Sequence, residues 1–282
     1  MVLIGEWRKS LEAVGLAEKT VGLYSYSVLR FISDVARPVH DIKEGHVIEF
    51  FAKLGKQGGA RMTYSKALRS FFGWAVERYY IDQNPAILFK PKQPPQKDAD
   101  AFSPDEISAL VLAAYARASF HSREANTGKQ NPAPKRAAAI LLCYGTGARI
   151  GELCALRPQD VDFENGVVHF LFTKTKKPRR VEMSSIARQA LEELRPYWTD
   201  RVLGDIHQAT LWKWVNQAAV DLGFPEGRRN PHMLRASFAT HLLNRGVPIH
   251  VVSKLLGHSD IKVTTRYSAV VDDQRRDAVA KL

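Results

Sequence analysis

Apolar residues recur at helical spacing through most of the first ninety positions. The stretches Ile4 to Val14, Glu18 to Val35, Glu44 to Leu54 and Ala60 to Tyr80 predict the helices of a small bundle. In the last of them Leu68, Phe71, Phe72, Ala75 and Val76 fall on one face and predict core. Arg61, Lys66, Arg69 and Arg78 make the rest of that segment basic, which suits either phosphates or bulk solvent. The pattern then fails at KPKQPPQKDADAFS, Lys90 to Ser103, where three prolines and several charges predict a semi-extended connection. A helical domain over 1–90, a linker over 91–102 and a second domain over 103–282 follow.

Ser103, Pro104 and Glu106 have the spacing of a capping box with proline at the first helical position, so a helix is expected to start there. A polar stretch from Ser119 to Pro134 is expected to loop out before an alanine-rich helix near Lys135. After Asp160 the period changes. VDFENGVVHFLFTKTKKPRRVEMS sets β-branched and aromatic residues around the turn sequences Glu164-Asn165-Gly166 and Lys176-Lys177-Pro178, predicting a small antiparallel sheet. Helical patterns resume near Ser185 and are broken at Gly204, Gly223 to Arg229 and Gly246 to Pro248. The expected fold class is mainly α with one small antiparallel β-sheet, as a helical N-terminal bundle and a C-terminal α+β domain.

Composition narrows the partners. Lys and Arg outnumber Asp and Glu by 41 to 29, a formal net charge of +12 with a pI near 9.7. The excess is even, with 15 basic against 9 acidic residues up to Lys97 and 26 against 20 after it, so it is no basic tail. A polyanion, nucleic acid first, is the expected partner. No apolar run approaches membrane-spanning length, and Glu6 and Trp7 interrupt the start where a signal peptide needs an apolar core, so a cytoplasmic protein without a membrane partner is expected. Cys143 and Cys154 stand in apolar surroundings with no CxxC pair or histidine cluster, which predicts packed thiols and implies no metal.

Three fragments carry chemistry. In YGTGARIGELCALRPQDVD, Gly145 and Gly147 precede a short helix that sets Arg149 and Glu152 one turn apart; an arginine beside a helix N-terminus holds phosphate, though this spacing also suits a surface ion pair. In PHMLRASFATHLLNRG, His232 and Arg235 lie one turn apart on a helix opening after Pro231, pairing a group that titrates near neutrality with a planar donor fork. His241, elsewhere on that helix, is assigned to packing or surface. In LLGHSDIKVTTRYSAV, His258 follows a glycine and Tyr267 comes nine residues later. A tyrosine there is by itself ordinary core or a nucleophile.

The order T-G-x-R-x-G-E-L, H-x-L-R, L-G-H, Tyr, with a basic hairpin between the first two, resembles the catalytic domain of tyrosine recombinases from Phe102 onward. The preceding bundle and proline-rich connection resemble that family's N-terminal core-binding domain. The resemblance implies Arg149 and Arg235 as the pair on the scissile phosphate, His232 and His258 as the two histidine positions, Glu152 as a supporting acid and Tyr267 as the nucleophile. Setting FTKTKKPRRVEMS against G-K-G-x-K-x-R-x-V-P-L points to Lys174 as the catalytic lysine, with Lys176 and Lys177 nearby. Ala236 stands where the family usually has histidine, and Thr173 and Thr175 where glycines are common; neither change removes a charged catalytic group.

What this implies is an enzyme that cleaves and rejoins double-stranded DNA at specific recombination sites through a 3′-phosphotyrosine, clamped on DNA as a homotetramer near the nucleoid. It implies no metal, no cofactor and no small-molecule substrate. No G-x-x-x-x-G-K-[ST] loop for a nucleoside triphosphate is present, in keeping with exchange that conserves bond energy without ATP. A DNA-binding protein of the same fold without catalysis, and a type IB topoisomerase, are the competing readings. Integration, dimer resolution and transposon movement share this chemistry. The tail VVDDQRRDAVAKL is expected to form a last helix packing on its own domain or on a neighbour.

Overall fold

The computed structural model describes residues 2–54, 58–91, 100–125, 133–171, 178–258 and 260–270. The chain divides into two compact units, Met1–Gln96 and Lys97–Leu282.

The first unit is a helical bundle: α1 (Val2–Ala13), α2 (Glu18–Val35), a 3-10 turn (Val39–Asp41), α3 (Glu44–Lys53) and α4 (Gly58–Glu77). The buried positions are those that helical periodicity selects: Ile4, Trp7 and Leu11 on α1, Val21, Val28 and Phe31 on α2, and Leu68, Phe71, Phe72 and Ala75 on α4. Aromatic rings fill the centre edge to face, Phe31 against Phe50 at 5.1 Å and Trp7 against Phe71 at 5.4 Å. The basic side of α4 is less uniform than its sequence. Arg61 turns inward, donating to the Phe51 carbonyl at 2.6 Å and lying over the stacked rings of Phe51 and Phe89. Its planar cation stabilises ring faces and a carbonyl in the last turn of α3. Lys66, Arg69 and Arg78 remain exposed.

The second unit opens with α5 (Pro104–Ala125) and the expected capping box. The Glu106 amide donates to Ser103 Oγ at 3.1 Å, and the Ser103 amide donates to Glu106 Oε2 at 2.8 Å. The expectation of a loop from Ser119 is corrected, because α5 runs on to Ala125. The polar composition that suggested a loop contains no glycine or proline before Gly128, and polar residues alone do not stop a helix. Next come α6 (Ala133–Thr146), α7 (Ile150–Ala155), a 3-10 turn (Pro158–Asp160) and the strands β1 (Val161–Asp162), β2 (Val167–Phe170) and β3 (Arg179–Glu182). The strands form an antiparallel sheet in chain order, with Val168 opposite Val181 and Phe170 opposite Arg179. Gly166 at φ +64° makes the first turn, as its sequence predicts. The second turn, with Lys174, Lys176 and Lys177, lies outside the described residues.

The chain continues through α8 (Ser185–Leu194), capped by Ser184, then α9 (Gln208–Asp221), α10 (His232–Asn244), α11 (Ile249–Leu256) and a 3-10 segment (Ile261–Val270). The core of this unit is built around α6. Ala137, Ala138, Ala139, Ile140, Leu142 and Cys143 are all buried, so the helix is enclosed by its neighbours and its alanines let α5 and α8 approach closely. The start of the unit is tied to α10. The Phe102 amide donates to Ser237 Oγ at 2.8 Å, and Arg228 grips both Glu106 oxygens at 2.8 Å and the Ala101 carbonyl at 3.0 Å. Glycines with positive φ at 204, 223 and 246 mark the predicted breaks. The tail 271–282, with its expected helix, lies outside the described residues. Among the described residues no helix is long and apolar enough to cross a membrane.

Candidate active site

Arg235 sits one turn into α10, its residue surface only 4% exposed. Its guanidinium donates to the Gly147 carbonyl at 2.7 Å and to the Leu256 carbonyl at 2.5 Å, bridging the turn before α7 to the end of α11. Gly147 has φ +56°, and a Cβ there would come within 2.4 Å of the Phe238 ring, so only glycine lets this carbonyl reach the arginine.

Arg149 is the N-cap of α7 and Glu152 its third residue. The Arg149 amide donates to Glu152 Oε2 at 3.0 Å and its Nη1 to Oε1 at 2.8 Å, so backbone and side chain hold one carboxylate. This is no surface pair. The Glu152 side chain is 2% exposed, and its Oε2 also accepts from Arg179 Nη2 at 2.7 Å. Burial works against the Glu152 carboxylate, but the charge of Arg179 and hydrogen bonds from Arg149 and Arg179 outweigh it and hold the carboxyl below its usual range.

Arg179 is a site residue beyond those that the sequence motifs indicate. It opens β3, its guanidinium lies 4.4 Å over the Phe170 ring, and its Nη1 donates to the Leu255 carbonyl. Arg179 and Arg235 thereby hold consecutive carbonyls at the C-terminal end of α11, groups that a helix leaves unpaired and that carry its negative dipole end. Gly257 follows at φ +63°, where a Cβ would meet Arg179 Cδ at 2.7 Å. The signal available was the alternation in RRVE: Arg179 and Val181 share the buried face of the strand, so an arginine there must have buried partners.

His258 leaves the Gly257 turn half-buried, with Nδ1 2.8 Å from Thr264 Oγ1. Burial, with the cations Arg235, Arg149 and Arg179, pushes its pKa down to about 4, so its ring is neutral at pH 7. Burial and the same neighbouring arginines push Arg235 to about 9, which leaves it charged at pH 7. Tyr267, on the 3-10 segment, packs against the cluster of Ala239, Leu243, Val252 and Leu256 and lies within electrostatic range of the Arg235 guanidinium. Two guanidiniums thus hold one carboxylate, and a third, Arg235, is fixed nearby on backbone carbonyls, beside a neutral histidine and a tyrosine. The net surplus of positive charge suits a phosphodiester whose charge grows during attack.

Of the residues picked out from the sequence, Arg149, Glu152, Arg235, His258 and Tyr267 come together here. His232 is the exposed first residue of α10, one turn before buried Arg235, and its amide donates to Asn230 Oδ1 at 3.0 Å. Lys174 lies outside the described residues. His241 packs, with Nδ1 2.8 Å from the Tyr144 hydroxyl. Cys143 and Cys154 are buried free thiols, and burial raises both, Cys154 to about 11. Among the described residues no group of three or more His, Cys, Asp or Glu is arranged to hold a metal ion.

Residues 103–274 match the model of the phage integrase family, and residues 3–82 match its N-terminal SAM-like domain. The chain belongs to the phage integrase family. Relatives of this integrase family member include a tyrosine recombinase of Pseudothermotoga lettingae, 31% identical over 285 residues, covering 95% of this chain and 93% of the relative. The tyrosine recombinase XerA of Thermococcus onnurineus is 28% identical over 297 residues, covering 99% and 94%. The fold is similar to that of a chain in the crystal structure of a lambda integrase dimer bound to a COC′ core site, with a TM-score of 0.75 at 17% identity and 94% of each chain covered. Like those relatives, this family member matches along nearly its whole length.

Proposed function

We propose that this chain is a tyrosine site-specific recombinase, and that its reaction runs through Tyr267. The observation that carries the reading is a buried Glu152 held by Arg149 and Arg179, with Arg235 fixed on the neighbouring carbonyls of Gly147 and Leu256 and Tyr267 within electrostatic range of it. In this reading Arg149 and Arg235 hold the non-bridging oxygens of the scissile phosphate, and Glu152 keeps Arg149 in place. The Tyr267 oxygen attacks phosphorus, the bond to the 5′ oxygen breaks, and a 3′-phosphotyrosine forms. The phenolic proton passes to His232, which stands exposed on the same helix as Arg235, and Lys174 delivers a proton to the departing 5′ oxygen. His258 donates a hydrogen bond to the phosphate. A 5′-hydroxyl from another strand reverses the step, and because a phosphoester replaces a phosphoester no ATP is consumed.

The partner is double-stranded DNA, bound through phosphate contacts that weaken steeply with salt, and the active assembly on DNA is a homotetramer near the nucleoid. Residues 1–90 act as the core-binding domain, 91–102 as linker and 103–282 as the catalytic domain.

The test is a denaturing gel of wild type and Tyr267→Phe after incubation with nicked duplexes. A covalent adduct from wild type alone is expected. DNA binding without an adduct from either would instead support a catalytically silent DNA-binding protein, and relaxation of supercoils without exchange between two sites would support a topoisomerase.

A further inference from the structure

Thr264 is fully buried and precedes Tyr267 by three residues on the 3-10 segment. Three residues make one turn of such a helix, so positions three apart eclipse and Thr264 and Tyr267 stand on one face. The one hydrogen-bond partner of Thr264 Oγ1 among the described residues is His258 Nδ1, at 2.8 Å. Neutral imidazole has a single ring proton, and the hydroxyl has a single hydrogen. Were the ring proton on Nδ1, it would donate to Oγ1 and leave the threonine hydrogen buried without an acceptor, a costly arrangement. With the ring proton on Nε2, the hydroxyl donates to Nδ1 and both groups are satisfied.

We infer that Thr264 is a positioning residue that holds His258 in the Nε2-protonated tautomer and ties it to the turn carrying the nucleophile. His258 then presents an N–H to an anion, where the other tautomer would present a lone pair that repels it. The electrostatics agree with the geometry. A histidine held neutral by burial and three arginines carries one ring proton at pH 7, so its tautomer decides whether it donates or accepts. The role at a phosphate rests on the function proposed above; the tautomer does not.

The experiment uses the full chain labelled with nitrogen-15 histidine, as wild type, Thr264→Val, which keeps the shape and removes the hydroxyl, and Thr264→Ser, which keeps the hydroxyl. His258→Gln identifies the signal. Nitrogen shifts are expected to show Nε2–H in wild type and Thr264→Ser, and a mixture of tautomers in Thr264→Val. In parallel, adduct formation is timed with a pool of nicked duplexes of randomised sequence. Thr264→Val is expected to cleave about 10- to 100-fold more slowly, the usual loss when a histidine's outer partner is removed, and Thr264→Ser to restore the rate. An Nδ1–H tautomer in wild type, an unchanged tautomer in Thr264→Val, or equal slowing by both variants would overturn the inference. Absence of any adduct from wild type would overturn the proposed function, while the nitrogen shifts still decide the role of Thr264.

Discussion

The two units bury different chemistry. Among the described residues, the N-terminal unit buries Ser25, Ser27 and Ser65 but no charged side chain, around a core of aromatic and aliphatic groups. The C-terminal unit buries Glu152, Asp160, Arg179 and Arg235. Burying a phenylalanine stabilises by about 1.5–3 kcal/mol whatever its neighbours do in detail. A buried ion costs several kcal/mol of desolvation, and its partners return that only while every contact is kept. Both units are held by apolar area, but the C-terminal one also gives up stability to keep charges fixed before substrate arrives, so that little reorganisation remains when charge develops on phosphate.

The largest effect should come from the charges themselves. Arg235→Ala is expected to slow adduct formation by about 100- to 1000-fold, the loss typical of one preorganised donor, as measured on the nicked-duplex gel. Glu152→Ala leaves Arg179 buried without its carboxylate and should destabilise the C-terminal unit by about 3–5 kcal/mol, read as lost hydrogen-exchange protection there. The double variant Glu152→Ala, Arg179→Met should recover much of that loss, because both charges are gone; a simple sum of the single effects would show that they do not form a coupled pair. Phe72→Ala should cost a similar amount, about 3–5 kcal/mol, in the N-terminal unit, with no apolar-for-charge swap available to restore it. Gly257→Ala combines a positive φ with a collision against Arg179 and should cost about 1–3 kcal/mol, visible as weaker protection of α11.

The mildest test is pH. His258 titrates near 6.5 when unfolded and near 4 when folded, so between those values the unfolded chain takes up a proton that the folded chain refuses, and stability falls as pH drops. The depressed Glu152 carboxyl extends the same trend into the acid range, since its contribution is complete above its unfolded value of 4.5 and is lost as pH falls through the folded one. Hydrogen exchange at pH 7 and pH 5 should therefore weaken the C-terminal unit more than the bundle, and His258→Gln should flatten that difference.

By itself the sequence determined what depends on local order: the bundle helices, the Ser103 capping box, the Gly166 turn, the sheet, and the fragments that hold Arg149, Glu152, His232, Arg235, His258 and Tyr267. Each is encoded by the spacing of neighbours or by a short motif, so it needs no knowledge of what lies across the fold. The extent of α5 is not legible, because polar residues without glycine or proline mark neither a helix nor its end. The inward turn of Arg61 is hidden from the sequence because its rings, Phe51 and Phe89, are distant along the chain. Only the tertiary structure decided that Arg179 and Arg235 grip adjacent carbonyls of α11, that Glu152 joins two arginines 30 residues apart in the chain, and that Thr264 meets His258. Those contacts link β3, α7, α10 and the 3-10 segment to the end of α11 or to each other, and burial, which turns a surface ion pair into a preorganised charge cluster, is a property of the assembled fold alone.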